Sequence, residues 1–415
     1  MSTIEVHIEL DGALKRVGTL RRQARRGGEA TTFEYHADWL ADADAFSLEP
    51  ALRRGRGVFA PADGHTLFGS IGDSAPDTWG KSLMRRAERH RAEREGRAAR
   101  TLQDADYLLG VEDVSRLGAL RFRNAGEEAF QAARLAGVPG MLALGRLLQV
   151  TERILRDEET EEDLQLIFAP GSSLGGARPK ASVIDQHNRL SIAKFPKETD
   201  DYSVELWEAI ALTLAGRAGI ETPGFELLRV MQKPVLLSRR FDRKPETRVP
   251  FLSALSMLGL IDGQRASYPE LVDVLTQHGA NAASDAAELF RRMTFNVLVS
   301  NVDDHLRNHG FLWAGGAGWK LSPAYDVNPV PQDVRPRILT TGISFEDGTC
   351  DLDLVLSVAE LFGLSQREAK AIVKQVGEAT ATWREVAETQ GARARECERM
   401  RSAFEHADLE KAQRL

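Results

Sequence analysis

Asn301-Val302-Asp303-Asp304-His305-Leu306-Arg307-Asn308 follows a long apolar stretch with helical spacing, and Tyr325-Asp326 stands beyond the next short hairpin pattern. Two carboxylates and an amide oxygen are thereby offered by one loop and its return. Asp303 could accept or orient the proton of an attacking hydroxyl. Asn308, five positions on, comes back on the same loop with an amide oxygen suited to a hard cation. Asp326 adds a full negative charge for the same ion. A Mg²⁺ ion that bridges phosphates takes one or two such oxygens and keeps several waters. Gly310 to Trp313 reads as a strand, Ala314 to Gly318 as a turn and Trp319 to Leu321 as the return strand. That hairpin predicts Asp326 beside Asn308 in space, although eighteen positions separate them. Asp-x4-Asn alone is common in surface loops, so the spacing by itself decides little.

A second set of elements lies upstream, in an informative order. Gly171-Ser172-Ser173-Leu174-Gly175-Gly176-Ala177-Arg178-Pro179-Lys180 is a glycine-rich loop opening into a strand pattern. Glycines let backbone N–H groups approach phosphates and tolerate positive φ. No Gly-Lys-Ser/Thr follows at the spacing of a Walker A loop. Ala181 to Ile184, a turn over Asp185 to Asn188, and Leu190 to Phe195 then predict a hairpin that ends on Lys194. A lysine there is placed to pair with phosphates, as in a protein kinase; on its own it reads as a solvated strand end. A helix is expected over Val204 to Ala218. It carries Glu205 and Glu208, of which Glu208 is the better placed partner for Lys194; otherwise both are surface acids. Pro234 to Arg243 reads as a buried strand running into a hinge, where Ser238 and Phe241 flank backbone groups able to bind an adenine edge.

Glycine loop, Lys, helical Glu, hinge strand, Asp-x4-Asn, hairpin, Asp is the order of a kinase core. The chain resembles the HipA-family toxins, bacterial serine/threonine kinases with a phosphatidylinositol-kinase-like core. The matching stretches are Ser173 to Lys180, Ile192-Ala193-Lys194-Phe195-Pro196, Arg240-Phe241-Asp242-Arg243, Asp303 to Asn308, and Leu321 to Asp326. At the front, Phe68 to Gly80, Tyr107-Leu108-Leu109-Gly110 and Leu117-Gly118-Ala119-Leu120 match too. The resemblance implies Asp303 and Lys194 as catalytic residues, with Asn308 and Asp326 as ligands of Mg²⁺. It implies ATP held by Ser173, Gly175, Gly176, Lys180, Lys194, Glu208, Ser238 and Phe241. It also implies autophosphorylation on Ser173, or on its neighbour Ser172. The implied partners are a HipB-like helix-turn-helix antitoxin, operator DNA reached through the antitoxin complex, and an aminoacyl-tRNA synthetase as substrate, with growth arrest as outcome. Position 304 is Asp where the family usually has a small residue such as Gly. Either Asp303 or Asp304 is then a candidate base, and the spacing to Asn308 favours Asp303. Two carboxylates side by side would raise one of their pKa values.

The expected fold is α+β. It has a two-lobed, phosphatidylinositol-kinase-like core, a small N-terminal α+β subdomain and an all-helical C-terminal lobe. The expected boundaries are 1–125, 126–240 and 241–415. Residues 85–100 are dense in Arg and Glu and read as a solvated helix and loop, less readily as a DNA-contacting face. Glu368 to Trp383 and Arg393 to Leu415 are amphipathic helices. The 54 basic and 61 acidic residues leave a net charge of −7, which argues against a dedicated nucleic-acid binder. Cys350 and Cys397 make no disulfide framework and suit no metal site. His305 and His309 stand four apart, but their loop favours structural hydrogen bonding over metal binding. No signal peptide is seen and no apolar run reaches the roughly 20 residues of a membrane span, so the expected setting is the cytoplasm, without a membrane. Two other readings of the core are a kinase for a small molecule or lipid headgroup, and a non-catalytic co-repressor. The HipA-like N-terminal unit speaks against the first. Intact Lys194, Asp303, Asn308 and Asp326 speak against the second.

Overall fold

The computed structural model describes residues 2–25, 28–131, 137–168, 176–244 and 247–415. Ser172, Ser173 and Gly175 lie outside these residues. The chain divides into two compact units: residues 1–198 with 228–261, and residues 199–227 with 262–415. The first therefore holds the expected N-terminal subdomain together with most of the expected smaller lobe.

Two antiparallel sheets organise the first unit. Strands β1 (Ser2–Leu10), β2 (Ala13–Arg25), β3 (Gly28–Tyr35) and β4 (Leu120–Asn124) stand in the order β3-β2-β1-β4. The alternation of Ile4, Val6 and Ile8 drives this sheet together, since all three are fully buried with Leu20 and Phe33. Glu5 and His7, which the alternation assigns to solvent, are buried as well. Glu5 accepts from Arg123 at 2.7 Å and lies 3.2 Å from Arg16, so the polar face of β1 is covered by arginines. The second sheet follows the order β5-β6-β8-β7, from Lys180–Ile184, Leu190–Lys194, Lys233–Arg239 and Phe225–Val230. Helices Leu144–Leu155 and Glu161–Phe168 supply Leu147, Leu148, Ile154 and Ile167 to one core with Ala181, Val183, Ala193 and Val235 from the strands. The hairpin turn at Met231-Gln232 takes φ of 48° and 66°. Two left-handed residues match the right-handed twist of the flanking strands.

The stretch expected to be a hinge is instead a fixed corner of this unit. Arg240 and Asp242 are fully buried and pair at 2.5 Å. Arg240 also donates to the carbonyls of Ser115 and Arg116, and Asp242 accepts from Gly118 N–H at 2.7 Å. The two motifs, at 117–120 and 240–243, are thus one buried hydrogen-bonded knot. A charge pair in low dielectric holds only when its remaining donors and acceptors are also met, which explains why so many backbone carbonyls converge there.

The second unit is mostly helical but contains the hairpin Gly310–Leu321, so an all-helical lobe is not what forms. Helix Val204–Arg217 packs Trp207 against Trp383 and Phe404, whose rings stack at 4.8 Å. Helices Tyr268–His278, Ala282–Leu298, Gln366–Ala381, Ala394–Phe404 and Ala407–Arg414 are further members of this unit. The hairpin pairs Gly310–Trp313 with Trp319–Leu321 in the register Phe311↔Leu321 and Trp313↔Trp319. Its turn contains Gly318 at φ 110°, where a Cβ would lie 2.5 Å from the His278 carbonyl oxygen. Among the described residues, no helix is long and apolar enough to cross a membrane.

Candidate active site

Helix Ala282–Leu298 delivers the Asp-x4-Asn loop. It ends where Ser300 turns left-handed, at φ 53°, and Asn301 N–H returns to the Asn296 carbonyl at 2.9 Å. The chain then reverses through Asp303, whose carbonyl accepts from His305 N–H at 2.9 Å and from Asn308 Nδ2 at 3.2 Å. That second bond fixes the Asn308 amide. With Nδ2 given to Asp303, Oδ1 faces away, buried and with no protein partner. An orphaned buried acceptor costs roughly 1–3 kcal/mol, and such a group calls for an ion or a water. A hard cation is a fitting occupant, so the donor chemistry agrees with Mg²⁺.

Asp326 reaches the same loop by two flanking bonds. Tyr325 Oη donates to the Arg307 carbonyl at 2.7 Å, and Asn328 N–H donates to Asn301 Oδ1 at 3.1 Å. Asp326 itself is left-handed, at φ 56°, and its Oδ1 accepts from Asn328 Nδ2 at 3.2 Å. A non-glycine residue held there is strained, and such strain concentrates at functional sites. The hairpin thus brings the Tyr325–Asn328 segment against the Asn301–Asn308 loop.

The two adjacent carboxylates part company. Asp303 is about half exposed and pairs with Arg335 at 2.9 Å. Asp304 is buried. Its Oδ2 accepts from Tyr268 Oη at 2.5 Å, and His309 Nε2 lies 2.8 Å from its Oδ1, out of line for a hydrogen bond. Its carbonyl accepts from both the N–H and the hydroxyl of Thr341. Asp303 is therefore the carboxylate that a hydroxyl can approach. Glu205 and Glu208 are both buried, at 1% and 3% exposure, which removes the surface-acid reading of that helix.

The first unit carries the other expected residues. Lys194 closes β6 and stands opposite Lys180 across the β5–β6 pair; Ser238 stands opposite Ile192 across β6–β8. The Lys180 ammonium is buried 2.9 Å from Asp77 Oδ2, whose other oxygen caps helix Thr78–Arg94 through Gly80 N–H. Gly176 takes φ 108° and accepts from Trp79 N–H. Phe241 is half-buried against Phe251, their ring centroids 6.2 Å apart.

Tyr268, Asn296, Asn328 and Arg335 went unsingled by sequence reasoning. Asn296 and Asn301 did carry a signal: two amides five apart in the apolar run Phe295-Asn296-Val297-Leu298-Val299-Ser300-Asn301. Buried amides in such a run need partners.

Residues 172–383 match the family model of the HipA-like C-terminal domain, and the chain belongs to that family. A Haemophilus influenzae protein named "Putative kinase" is 31% identical over 99 residues, 23% of this chain and 29% of that protein. "Putative kinase Y4dM" of Sinorhizobium fredii is 27% identical over 135 residues, 29% of this chain and 32% of its own length. The match thus spans about a third of these relatives. A solved chain of the Shewanella oneidensis MR-1 complex of HipA, HipB and operator DNA covers 99% of both chains, with a TM-score of 0.65 at 15% identity. At that identity the likeness is one of fold.

Proposed function

We propose that this chain is an ATP-dependent serine/threonine protein kinase acting as a HipA-like toxin. The observation that carries this reading is the Asn308 amide: one side is fixed on Asp303, and the other presents a buried oxygen with no protein partner. Asp303, exposed on the same loop, takes the proton of the acceptor hydroxyl. To reach it, the hydroxyl shares or displaces the Arg335 guanidinium. Asn308 and Asp326 would hold Mg²⁺, which would supply positive charge against the phosphates. Lys194 pairs with the phosphates. Gly175, Gly176 and Lys180 with Ser173 form the phosphate loop, and Glu208, Ser238 and Phe241 complete the nucleotide site. Catalysis is then positioning and charge stabilisation.

The fold likeness to a HipA chain solved with HipB and operator DNA supports a HipB-like antitoxin as partner, with operator DNA reached through that complex. An aminoacyl-tRNA synthetase as substrate, action in the cytoplasm and self-inactivation at Ser173 or Ser172 complete the proposal. Purified protein given Mg²⁺ and labelled ATP should phosphorylate itself or a protein in a bacterial lysate. Mass spectrometry should then find phosphate on Ser173 or Ser172, and none there in the Asp303→Asn variant. An unmodified loop in fully active protein would remove the self-inactivation.

A further inference from the structure

Beneath the candidate site runs a line of buried and half-buried polar groups that the proposed chemistry does not use. Asn328 N–H donates to Asn301 Oδ1 at 3.1 Å. Asn301 Nδ2 donates to Asn296 Oδ1 at 3.0 Å, and Asn296 Nδ2 to Tyr268 Oη at 2.9 Å. Tyr268 Oη donates to Asp304 Oδ2 at 2.5 Å. Asn296, Asn301 and Asp304 line one small pocket in the second unit, with Asn308 and His309 on its wall. Tyr268 is completely buried.

The direction of this line is not arbitrary. A carboxylate can only accept, so Tyr268 must donate to Asp304. Burial and the neighbouring Asp304 charge push the Tyr268 phenol well above its ordinary pKa, so it keeps the proton it donates. Its oxygen must then accept, which orients Asn296, and Asn296 in turn orients Asn301. Every donor points toward Asp304. Hydrogen bonds aligned in this way polarise one another in a low-dielectric interior. One end of the line is the residue beside Asp303. The other is the backbone of Asn328, two residues beyond Asp326.

We propose that Tyr268 is a positioning residue for phosphoryl transfer. Through this single hydrogen-bond chain it holds the loop bearing Asp303 and the segment bearing Asp326 in one fixed register. The inference rests on the kinase reading and adds to it a residue that touches neither nucleotide nor acceptor. Tyr268 suits the task because its own backbone is tied down. Tyr268 N–H donates to the Gly342 carbonyl at 2.8 Å, and Gly342 N–H to Ala266 at 3.0 Å. Ser267 and Glu270 form a reciprocal cap at the start of its helix. The neighbouring Thr341 clamps the Asp304 carbonyl from the other side.

Tyr268→Phe keeps the ring and removes the one hydroxyl. Two measurements on the full chain test the proposal. In backbone hydrogen exchange, the N–H groups of Asn328 and Thr341 should exchange at least about tenfold faster in the variant, because both ends of the chain lose their restraint. In phosphoryl transfer below the melting temperature, kcat should fall about 10–100-fold, as for other supporting residues. KM for ATP should stay within about twofold. Asn301→Ala should give a similar loss, and the double variant little more than either alone, since both cut one chain. Unchanged exchange at Asn328 would overturn the proposal whatever the activity. Faster exchange with an unchanged kcat would make the chain merely structural and overturn it equally. A wild-type protein that transfers no phosphate would instead bring down the kinase reading, and the positioning role of Tyr268 with it.

Discussion

One side chain, Asn308, decides most at the residue scale. Its amide nitrogen and oxygen look alike in sequence, yet the bond to the Asp303 carbonyl gives each a separate task. Asn308→Ala should raise the Mg²⁺ concentration for half-maximal transfer by about tenfold or more, read from a Mg²⁺ titration at saturating ATP; an unchanged midpoint would remove it from the ion. Arg335→Ala removes an ion pair that is more than half exposed on both sides. It should leave the melting temperature nearly unchanged, since such pairs contribute about 0–1 kcal/mol, and transfer should persist. A total loss of transfer would make Arg335 part of the chemistry. In the sequence, the spacing to Asn308 favours Asp303 over Asp304 as the candidate base. It could not reveal that Asp304 turns inward, because the groups that draw it there, Tyr268 and Thr341, lie 36 and 37 positions away.

Among the elements, the local ones were the readable ones. Both hairpins, Lys180–Lys194 and Gly310–Leu321, follow from alternation and turn chemistry within a dozen or so residues. The corner at Arg240–Asp242 cannot be read locally, because its partners at 115–118 are more than a hundred residues distant. Asp77 joins two elements at once, capping helix Thr78–Arg94 and neutralising buried Lys180. Asp77→Ala should destabilise the first unit by about 3 kcal/mol or more, since it removes a cap and breaks a buried ion pair. Asp77→Asn keeps the cap and should cost less. Denaturant midpoints of the two variants check this, and equal losses would mean that the cap contributes nothing beyond the charge. In the second unit, His406 accepts from Leu409 N–H through Nδ1, at the start of helix Ala407–Arg414, and its Nε2 lies 3.1 Å from the Leu298 carbonyl. That arrangement needs a neutral ring with its proton on Nε2. Burial, with Arg337 nearby, holds its pKa down to about 4, against 6.5 for a free histidine. Between those values the unfolded chain binds the extra proton, so stability is full above pH 6.5 and is lost as pH falls toward 4. The loss should be on the order of 3 kcal/mol. His406→Gln should flatten the stability profile across that window, and an unaltered profile would show that another group is responsible.

For the molecule as a whole, a net charge of −7 sets what the chain can do alone. Isolated protein should bind duplex DNA weakly, with affinity falling as salt rises. Adding a basic helix-turn-helix partner should create tight operator binding, measured by fluorescence anisotropy; tight sequence-specific binding without the partner would favour a co-repressor instead. The expected residues divide between the two units, with Lys180, Lys194, Ser238 and Phe241 in the first and Glu208, Asp303, Asn308 and Asp326 in the second. Their order along the chain, rather than any single motif, carries the expectation. Phosphate transfer from labelled ATP with Mg²⁺, compared among wild type, Asp303→Asn and Asp326→Asn, is the most direct test. Wild-type protein should label itself or a lysate protein. Each variant should melt like the wild type and lose about 10²–10⁴-fold of the rate. Wild-type rates in either variant, or no transfer by the wild type, would contradict the assignment of Asp303, Asn308 and Asp326 as a phosphoryl-transfer site.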